Sequence, residues 1–117
     1  MEKLKIHGVH TEVDEKLKRY ITKKINKLER YVPSHSKESM HVEVYVEESK
    51  THNGKQCECE VNMYLPHEIL RVRESTVNMF AAVDIVEAKL KQSLLKYKAF
   101  HGDPRYLRRL LNRINNS

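Results

Sequence analysis

Lysine and arginine recur along two segments of this sequence that have the periodicity of amphipathic helices. Residues 11–32 carry seven basic residues against four acidic ones, and residues 85–117 carry eight against two. Residues 38–68, which lie between them, carry two basic and seven acidic residues. Clustered cations neutralise phosphates and release counterions, which is the chemistry of nucleic-acid binding. The same spacing also fits a helix face that is simply solvated, and this alternative stays open.

A helical wheel at about 100° per residue orders these cations further. Five cations of the first segment fall within about 80° of one another, and the wheel predicts that they line the edge of the apolar face: Lys16, Arg19, Lys23, Lys27 and Arg30. In the second segment Lys89 and Lys96 share one flank, and Lys91 and Lys98 share the other. Two such helices packed side by side are expected to form a charged groove and rim.

The other reactive side chains form no catalytic or metal-binding pattern. Cys57 and Cys59 share one face of a predicted strand without a second ligand pair, so we interpret them as reduced core residues. Of the scattered histidines, only His7 and His41 could neighbour each other as an acid–base couple. The sequence has no nucleophile-elbow, phosphate-loop or dinucleotide motif. We therefore expect no enzymatic activity, no metal or cofactor, and no small-molecule substrate.

Two tyrosines of the central segment, Tyr45 and Tyr64, are candidates for stacking nucleotide bases on an exposed sheet face. Four glutamates are predicted on that same face: Glu43, Glu47, Glu58 and Glu60. Because these carboxylates repel phosphates, ordinary cross-strand packing of the tyrosines is the preferred interpretation.

The elements that must position these side chains follow from hydrophobic periodicity. Residues 3–9 alternate as a first strand, and Thr11 begins a capping pattern for a helix of about five turns that stops at Pro33. Alternation returns from Met40 onward, with a hairpin turn at Asn53-Gly54 and a last strand around residues 70–73. Ser75 is predicted to cap a second long helix that ends at His101-Gly102.

These elements predict a single α+β domain in a chain of 117 residues. The expected fold has two layers in the order β-α-β-β-β-α: a four-stranded mixed sheet with two helices packed on one face, the first strand lying parallel to the second. Residues 1–101 are expected to form the domain and residues 102–117 a basic C-terminal tail whose apolar spacing fits a short helix, with arginines at 105, 108, 109 and 113. No membrane span or signal peptide is predicted, so we expect a cytoplasmic protein.

The helices and last strand also resemble a known family, the ribosome hibernation-promoting factors, also called ribosome-associated inhibitors or sigma-54 modulation proteins. Residues 17–31 are similar to its leucine-basic-x-aromatic … Lys-Leu-Glu-x-aromatic pattern. The segment Asn-Met-Phe-Ala-Ala-Val-Asp at 78–84 is close to its Asp-Met-Tyr-Ala-Ala-Ile-Asp, and residues 70–74 resemble its fourth strand. The resemblance covers residues 3–100 and is to the short form of the family.

The resemblance implies a fold like that of double-stranded-RNA-binding domains and binding to the small ribosomal subunit. Family members occupy the decoding channel, block the mRNA and tRNA sites, and stabilise idle ribosomes in stress or stationary phase. The resemblance assigns ribosomal RNA contacts to Lys18, Lys23, Lys24, Lys27, Lys89, Lys96 and Lys98, and the wheel adds Lys16, Arg19, Arg30 and Lys91. Ribosomal proteins are further possible partners, and the protein is expected to be a monomer off the ribosome.

Two alternatives to this function remain open on the sequence. The chain could bind free structured RNA, or it could be a protein-interaction module, for instance a transcription-factor modulator, that uses the acidic sheet face. The sequence also leaves open whether the protein pairs ribosomes or silences single ones.

Overall fold

A computed structural model of the chain describes residues 3–101 and Arg113. Within these residues four strands form one sheet in the order β1-β2-β3-β4: β1 (Leu4–Gly8), β2 (His41–Thr51), β3 (Gly54–Tyr64) and β4 (Ile69–Thr76). Strand β1 pairs with β2 in parallel, and the other neighbours are antiparallel. The predicted mixed sheet is confirmed.

The helical layer of the described residues contains two α-helices, α1 (Glu15–Asn26) and α2 (Met79–His101). Two 3₁₀ segments, Lys27–Tyr31 and Ser34–Ser36, connect α1 to β2. The order of strands and α-helices is therefore β-α-β-β-β-α, and the predicted α+β fold class is confirmed.

The core lies between the sheet and the helices because both layers have one apolar face. Alternate residues of a strand point to the same side, so Val42, Val44 and Val46 of β2 are buried while their neighbours are not. The helices cover them with side chains at helical spacing: Leu17, Ile21 and Ile25 from α1, and Met79, Val83, Val86, Leu90, Leu94 and Tyr97 from α2. This packing leaves the other face of the sheet to polar residues.

Both helices begin at a different residue from the one predicted. Asp14 caps α1, because its Oδ1 accepts a hydrogen bond from the Leu17 amide at 2.8 Å. Thr11 instead accepts a hydrogen bond from the Glu48 amide at 2.9 Å. Asn78 caps α2 by accepting from the amides of Phe80 and Ala81, since the predicted cap, Ser75, is still within β4.

The end of the first helix also differs from the prediction of about five α-helical turns. The α-helix ends at Asn26, and the chain continues as a 3₁₀ helix to Tyr31. Val32 then has extended dihedral angles (φ −84°, ψ 129°). Pro33 disfavours the helical conformation at the residue before it, so the chain turns here as predicted, with its last turn tightened.

Two glycines allow close turns that other residues would obstruct. A Cβ added at Gly8 would lie 1.9 Å from the carbonyl oxygen of Thr11, so the chain can turn from β1 toward α1 only without a side chain here. Gly54 has a φ of 113°, a left-handed conformation that favours glycine, and it begins β3 opposite Thr51. The predicted hairpin is therefore present at this position.

Neither helix within residues 3–101 combines the length and the apolar content needed to cross a bilayer. The predicted basic tail, residues 102–117, lies outside the described residues except for Arg113, which is exposed. The boundary of the predicted domain stays a prediction.

Candidate nucleic-acid interface

The two helices lie side by side and run in the same direction. The ring of Tyr20 on α1 contacts the ring of Phe80 near the start of α2, with centroids 5.0 Å apart. One turn past the end of α1, the ring of Tyr31 lies 5.1 Å from the Lys91 ammonium, further along α2. Because successive contacts advance along both helices together, their exposed sides form one continuous surface, which we call the helical face.

A polar cluster joins the helices between these two contacts. The Tyr20 hydroxyl donates a hydrogen bond to Asp84 at 2.5 Å, and the Lys24 ammonium lies 3.2 Å from Asp84 and 3.4 Å from Glu87. The hydrogen bonds from Tyr20 and Lys24 hold the pKa of Asp84 below its ordinary value, and Asp84 in turn raises the pKa values of Tyr20 and Lys24. Lys24 is therefore neutralised within the protein, although the resemblance assigned it an RNA contact.

Five of the eleven candidate cations are exposed and have neither an ion pair nor a ring contact to any residue that the structure describes: Lys18, Arg19, Lys23, Lys27 and Lys96. Arg19 and Lys23 each lie about 160° around the α1 axis from the buried Ile21. The prediction that they line the edge of the apolar face is wrong, because the buried stripe is centred opposite them. They form instead the outermost part of the helical face.

Three further candidates lie over aromatic rings beside the seam between the helices. The Lys16 ammonium is 5.7 Å from the centre of the Phe80 ring. The Arg30 guanidinium lies 5.0 Å from the Tyr31 ring and donates a hydrogen bond to its hydroxyl at 2.9 Å, and Lys91 approaches the same ring. Lys91 and Arg30 lower the pKa of Tyr31. These rings orient the cations while leaving all three exposed.

Two of the four cations of α2, Lys89 and Lys91, lie on opposite flanks of the helix. Lys89 faces β4 and forms an ion pair with Glu74, whereas Lys91 faces the first helix. Lys96, one heptad after Lys89, is exposed, and Lys98 is partly buried. Sequence reasoning missed the aromatic residues Tyr31 and Phe80 as supports for cations, although the adjacency of Arg30 and Tyr31 is a signal that could have indicated one of them.

The outer face of the sheet packs its aromatic residues in cross-strand pairs. His7 stacks on Tyr45 with ring centroids 4.8 Å apart, and His41 stacks on Tyr64 at 4.3 Å. The predicted neighbours His7 and His41 are thus apart, because the parallel register places His7 opposite Tyr45 and the antiparallel register places His41 opposite Tyr64. The tyrosines pack as the preferred interpretation predicted.

Cys57 and Cys59 are buried, free thiols on the core side of β3. Burial raises the pKa of Cys59 to about 12. Because the thiolate is the reactive species, this thiol stays protonated and inert near neutral pH, as expected of a core residue.

Comparison with known proteins gives relatives for nearly the whole of the described chain. It is 32% identical over 98 residues to a ribosome hibernation promotion factor of Staphylococcus aureus (strain COL), an alignment that covers 84% of this chain and 49% of that protein. The chain therefore spans about half the length of this curated relative.

Two solved structures share the fold at 22% identity. The crystal structure of the Thermus thermophilus Protein Y N-terminal domain matches with a TM-score of 0.61 over 80% of this chain and 94% of that one. A ribosomal subunit interface protein from Coxiella burnetii matches with a TM-score of 0.66 over 82% and 97%.

The chain also matches a protein family. The match covers residues 4–101, from the start of β1 to the end of α2, and so includes both helices with their exposed cations. This chain belongs to the family described as sigma 54 modulation protein / S30EA ribosomal protein.

Proposed function

We propose that this chain is a ribosome hibernation factor that binds the small ribosomal subunit at the decoding channel. It inhibits translation there by blocking the mRNA and tRNA sites, and it stabilises idle ribosomes in stress or stationary phase. Family membership and the name of the Staphylococcus aureus relative support ribosome association. The observation that carries the proposal is the row of exposed cations Arg19, Lys23 and Lys27 on the helical face.

The proposed inhibition requires only that the protein bind tightly and fill the channel, and it involves no chemical reaction. Each exposed cation that meets an RNA phosphate releases condensed counterions, so several together supply strong and salt-sensitive binding. Once the domain lies in the channel, it excludes mRNA and tRNA by volume alone. The proposed activity therefore uses no cofactor and no catalytic residue.

The geometry ranks ten of the eleven candidates, all but Lys98, by how freely each can meet a phosphate. First come the exposed cations that have neither an ion pair nor a ring contact among residues 3–101: Lys18, Arg19, Lys23, Lys27 and Lys96. Those held over rings, Lys16, Arg30 and Lys91, follow, because their positions are set before binding. Lys24 and Lys89 come last, since binding RNA means giving up ion pairs within the protein.

The test compares two triple variants with the same change in charge. One replaces Arg19, Lys23 and Lys27 by Gln. The matched control replaces Lys5, Lys37 and Lys50, which are exposed cations outside the helical face. Binding to purified small subunits is measured by sedimentation at several salt concentrations, together with inhibition of translation and tRNA occupancy in vitro.

The helical-face variant is expected to lose inhibition and to flatten the slope of log affinity against log salt by about two to three units. The control is expected to retain inhibition, tRNA displacement and most of the slope. Equal losses in both variants would contradict the proposal, as would binding that leaves tRNA occupancy unchanged. Equal affinity for naked duplex RNA and for small subunits would support the free RNA-binding alternative instead.

A further inference from the structure

The outer face of the sheet concentrates negative charge on its two central strands. Glu43 and Glu47 of β2 and Glu58 and Glu60 of β3 all project to the face opposite the helices. The antiparallel register places Glu47 directly opposite Glu58. Like charges in this position destabilise a strand pair, so stability of the sheet does not explain the arrangement.

The cations of this face neutralise it only in part. Lys5, Arg71 and Arg73 lie on the two edge strands, β1 and β4. Arg73 forms an ion pair with Glu58. Glu47 and Glu60 form no ion pair with any residue among 3–101. Two unpaired carboxylates therefore remain at the centre of the face.

A depression of about 200 Å³ lies among these carboxylates. Its lining includes Glu47, Glu58 and Glu60, the Arg73 side chain that pairs with Glu58, and Tyr45. Carboxylates beside an aromatic ring form the environment that binds a guanidinium or an ammonium group, through charge-assisted hydrogen bonds and contact with the ring face. The depression therefore has the chemistry of a site for an arginine or lysine side chain.

Asn62 gives a second observation that does not depend on acidity. Its side chain follows Glu60 on the outer side of β3, between Glu43 and Arg71 in the register. The residue is only 7% exposed, yet its Oδ1 has no hydrogen-bond partner among the described residues. A buried acceptor without a donor is costly, and a cationic donor arriving at this face would satisfy it.

We infer that the outer face of the sheet binds an arginine- or lysine-rich segment of a partner protein, with the carboxylates of Glu47 and Glu60 and the amide oxygen of Asn62 as acceptors. The chain carries a net charge of +6, so a basic segment is repelled by the helical face and attracted to this acidic face. An RNA would be repelled by these same glutamates. The surface is separate from the proposed ribosomal RNA interface and lies on the opposite side of the sheet.

The first test maps binding of a short oligo-arginine peptide to the isotope-labelled full chain by NMR at low ionic strength. Amide shifts are expected to concentrate on outward-facing residues of β2 and β3. The side-chain amide of Asn62 is expected to shift as well, because its oxygen gains a donor. Shifts centred on α1 and α2, or the absence of shifts, would overturn the inference, as would equal shifts with an oligo-glutamine peptide of the same length.

The second test uses paired variants that add the same positive charge. Glu47→Gln with Glu60→Gln is expected to weaken peptide binding about tenfold, through loss of charge-assisted contacts. The control, Glu12→Gln with Glu15→Gln, alters exposed acids near the start of α1 and is expected to leave affinity unchanged. If both pairs weakened peptide binding equally, the change in net charge alone would explain the effect, and the inference would be overturned. Binding to small ribosomal subunits is expected to be unchanged in the Glu47 and Glu60 pair, and its loss in that pair would contradict the separation of the two surfaces.

Discussion

Tyr20 and Asp84, 64 positions apart in the sequence, are joined by a hydrogen bond of 2.5 Å between α1 and α2. The bond fixes how the two helices lie beside each other, because the Tyr20 ring also packs edge-on against Phe80 at the start of α2. Every cation of the helical face is carried by one of these helices or by the 3₁₀ turn that extends the first. The tie between Tyr20 and Asp84 therefore sets the spacing of the charges that the proposed interface presents.

We expect Tyr20→Phe and Asp84→Asn each to lower the free energy of unfolding by about 0.5–1 kcal/mol. The value lies in the lower part of the usual range because the Asp84 side chain is 49% exposed and its interactions are screened. Tyr20→Phe retains the ring packed on Phe80, so it isolates the loss of the hydroxyl. Urea unfolding of both single variants and the double variant measures the coupling, and strictly additive effects would show that the hydrogen bond contributes nothing.

The same cluster predicts a dependence of stability on acid pH. The pKa of Asp84 is held below its ordinary value of 3.8 by the hydrogen bonds from Tyr20 and Lys24. A lowered pKa means that the stabilisation is present above 3.8 and is lost as the pH falls through the folded-state pKa. The difference in unfolding free energy between the wild type and Asp84→Asn is therefore expected to be largest near neutral pH and to shrink below 3.8.

A control for this measurement is Glu12→Gln, an exposed carboxyl outside the cluster. Its difference from the wild type, measured over the same pH range, is the baseline with which the Asp84→Asn profile is compared. A pH-independent difference for Asp84→Asn would show that the interhelical cluster does not perturb the carboxyl.

Tyr31 is expected to ionise at a lower pH than Tyr20 and Tyr45. Lys91 and Arg30 lower the pKa of Tyr31, whereas hydrogen bonds to carboxylates raise the pKa of the other two. Residue-specific NMR titration of the tyrosine rings measures this order. Lys91→Gln is expected to raise the Tyr31 pKa toward 10.0, and an unchanged value would remove Lys91 from this contact.

The fold was predictable because the hydrophobic patterns that indicate each helix and strand lie within a single element. The alternation of Val42, Val44 and Val46 and the helical spacing of Leu17, Ile21 and Ile25 each fit within one element. Sequence also indicated the ends of the helices to within a few residues. It did not select the capping residue, since Thr11 and Asp14 both suit that role and only Asp14 directly precedes the first helical turn.

The sequence did not predict which cations form ion pairs within the protein, because the partners of these cations lie far along the chain. Lys24 meets Asp84 and Glu87 only once α1 and α2 pack together, and Lys89 meets Glu74 only once α2 lies over β4. A wheel drawn for one helix contains neither partner. The wheel also gave equal weight to buried and partly buried apolar residues. The predicted apolar face therefore extended closer to the cations than the buried face does.

Lys23 and Lys24 give the sharpest test of the proposed interface, because they are adjacent, identical in chemistry and different in environment. Lys23 is exposed and has no ion pair within the described residues, whereas Lys24 bridges Asp84 and Glu87. Lys23→Gln is expected to leave stability unchanged and to reduce the salt slope of small-subunit binding by about one unit. Lys24→Gln is expected to lower stability, since it leaves two carboxylates without their cation, while the salt slope stays the same.

The two variants serve as controls for each other, because each removes one positive charge at neighbouring positions. Chemical denaturation measures stability, and sedimentation with small subunits over a range of salt concentrations measures the slope. If Lys24→Gln flattened the slope as much as Lys23→Gln, Lys24 would have to leave its carboxylates on binding. Binding would then break the ion pairs of Lys24 that stabilise the free protein. The ranking of the candidate cations by their partners within the protein would be wrong.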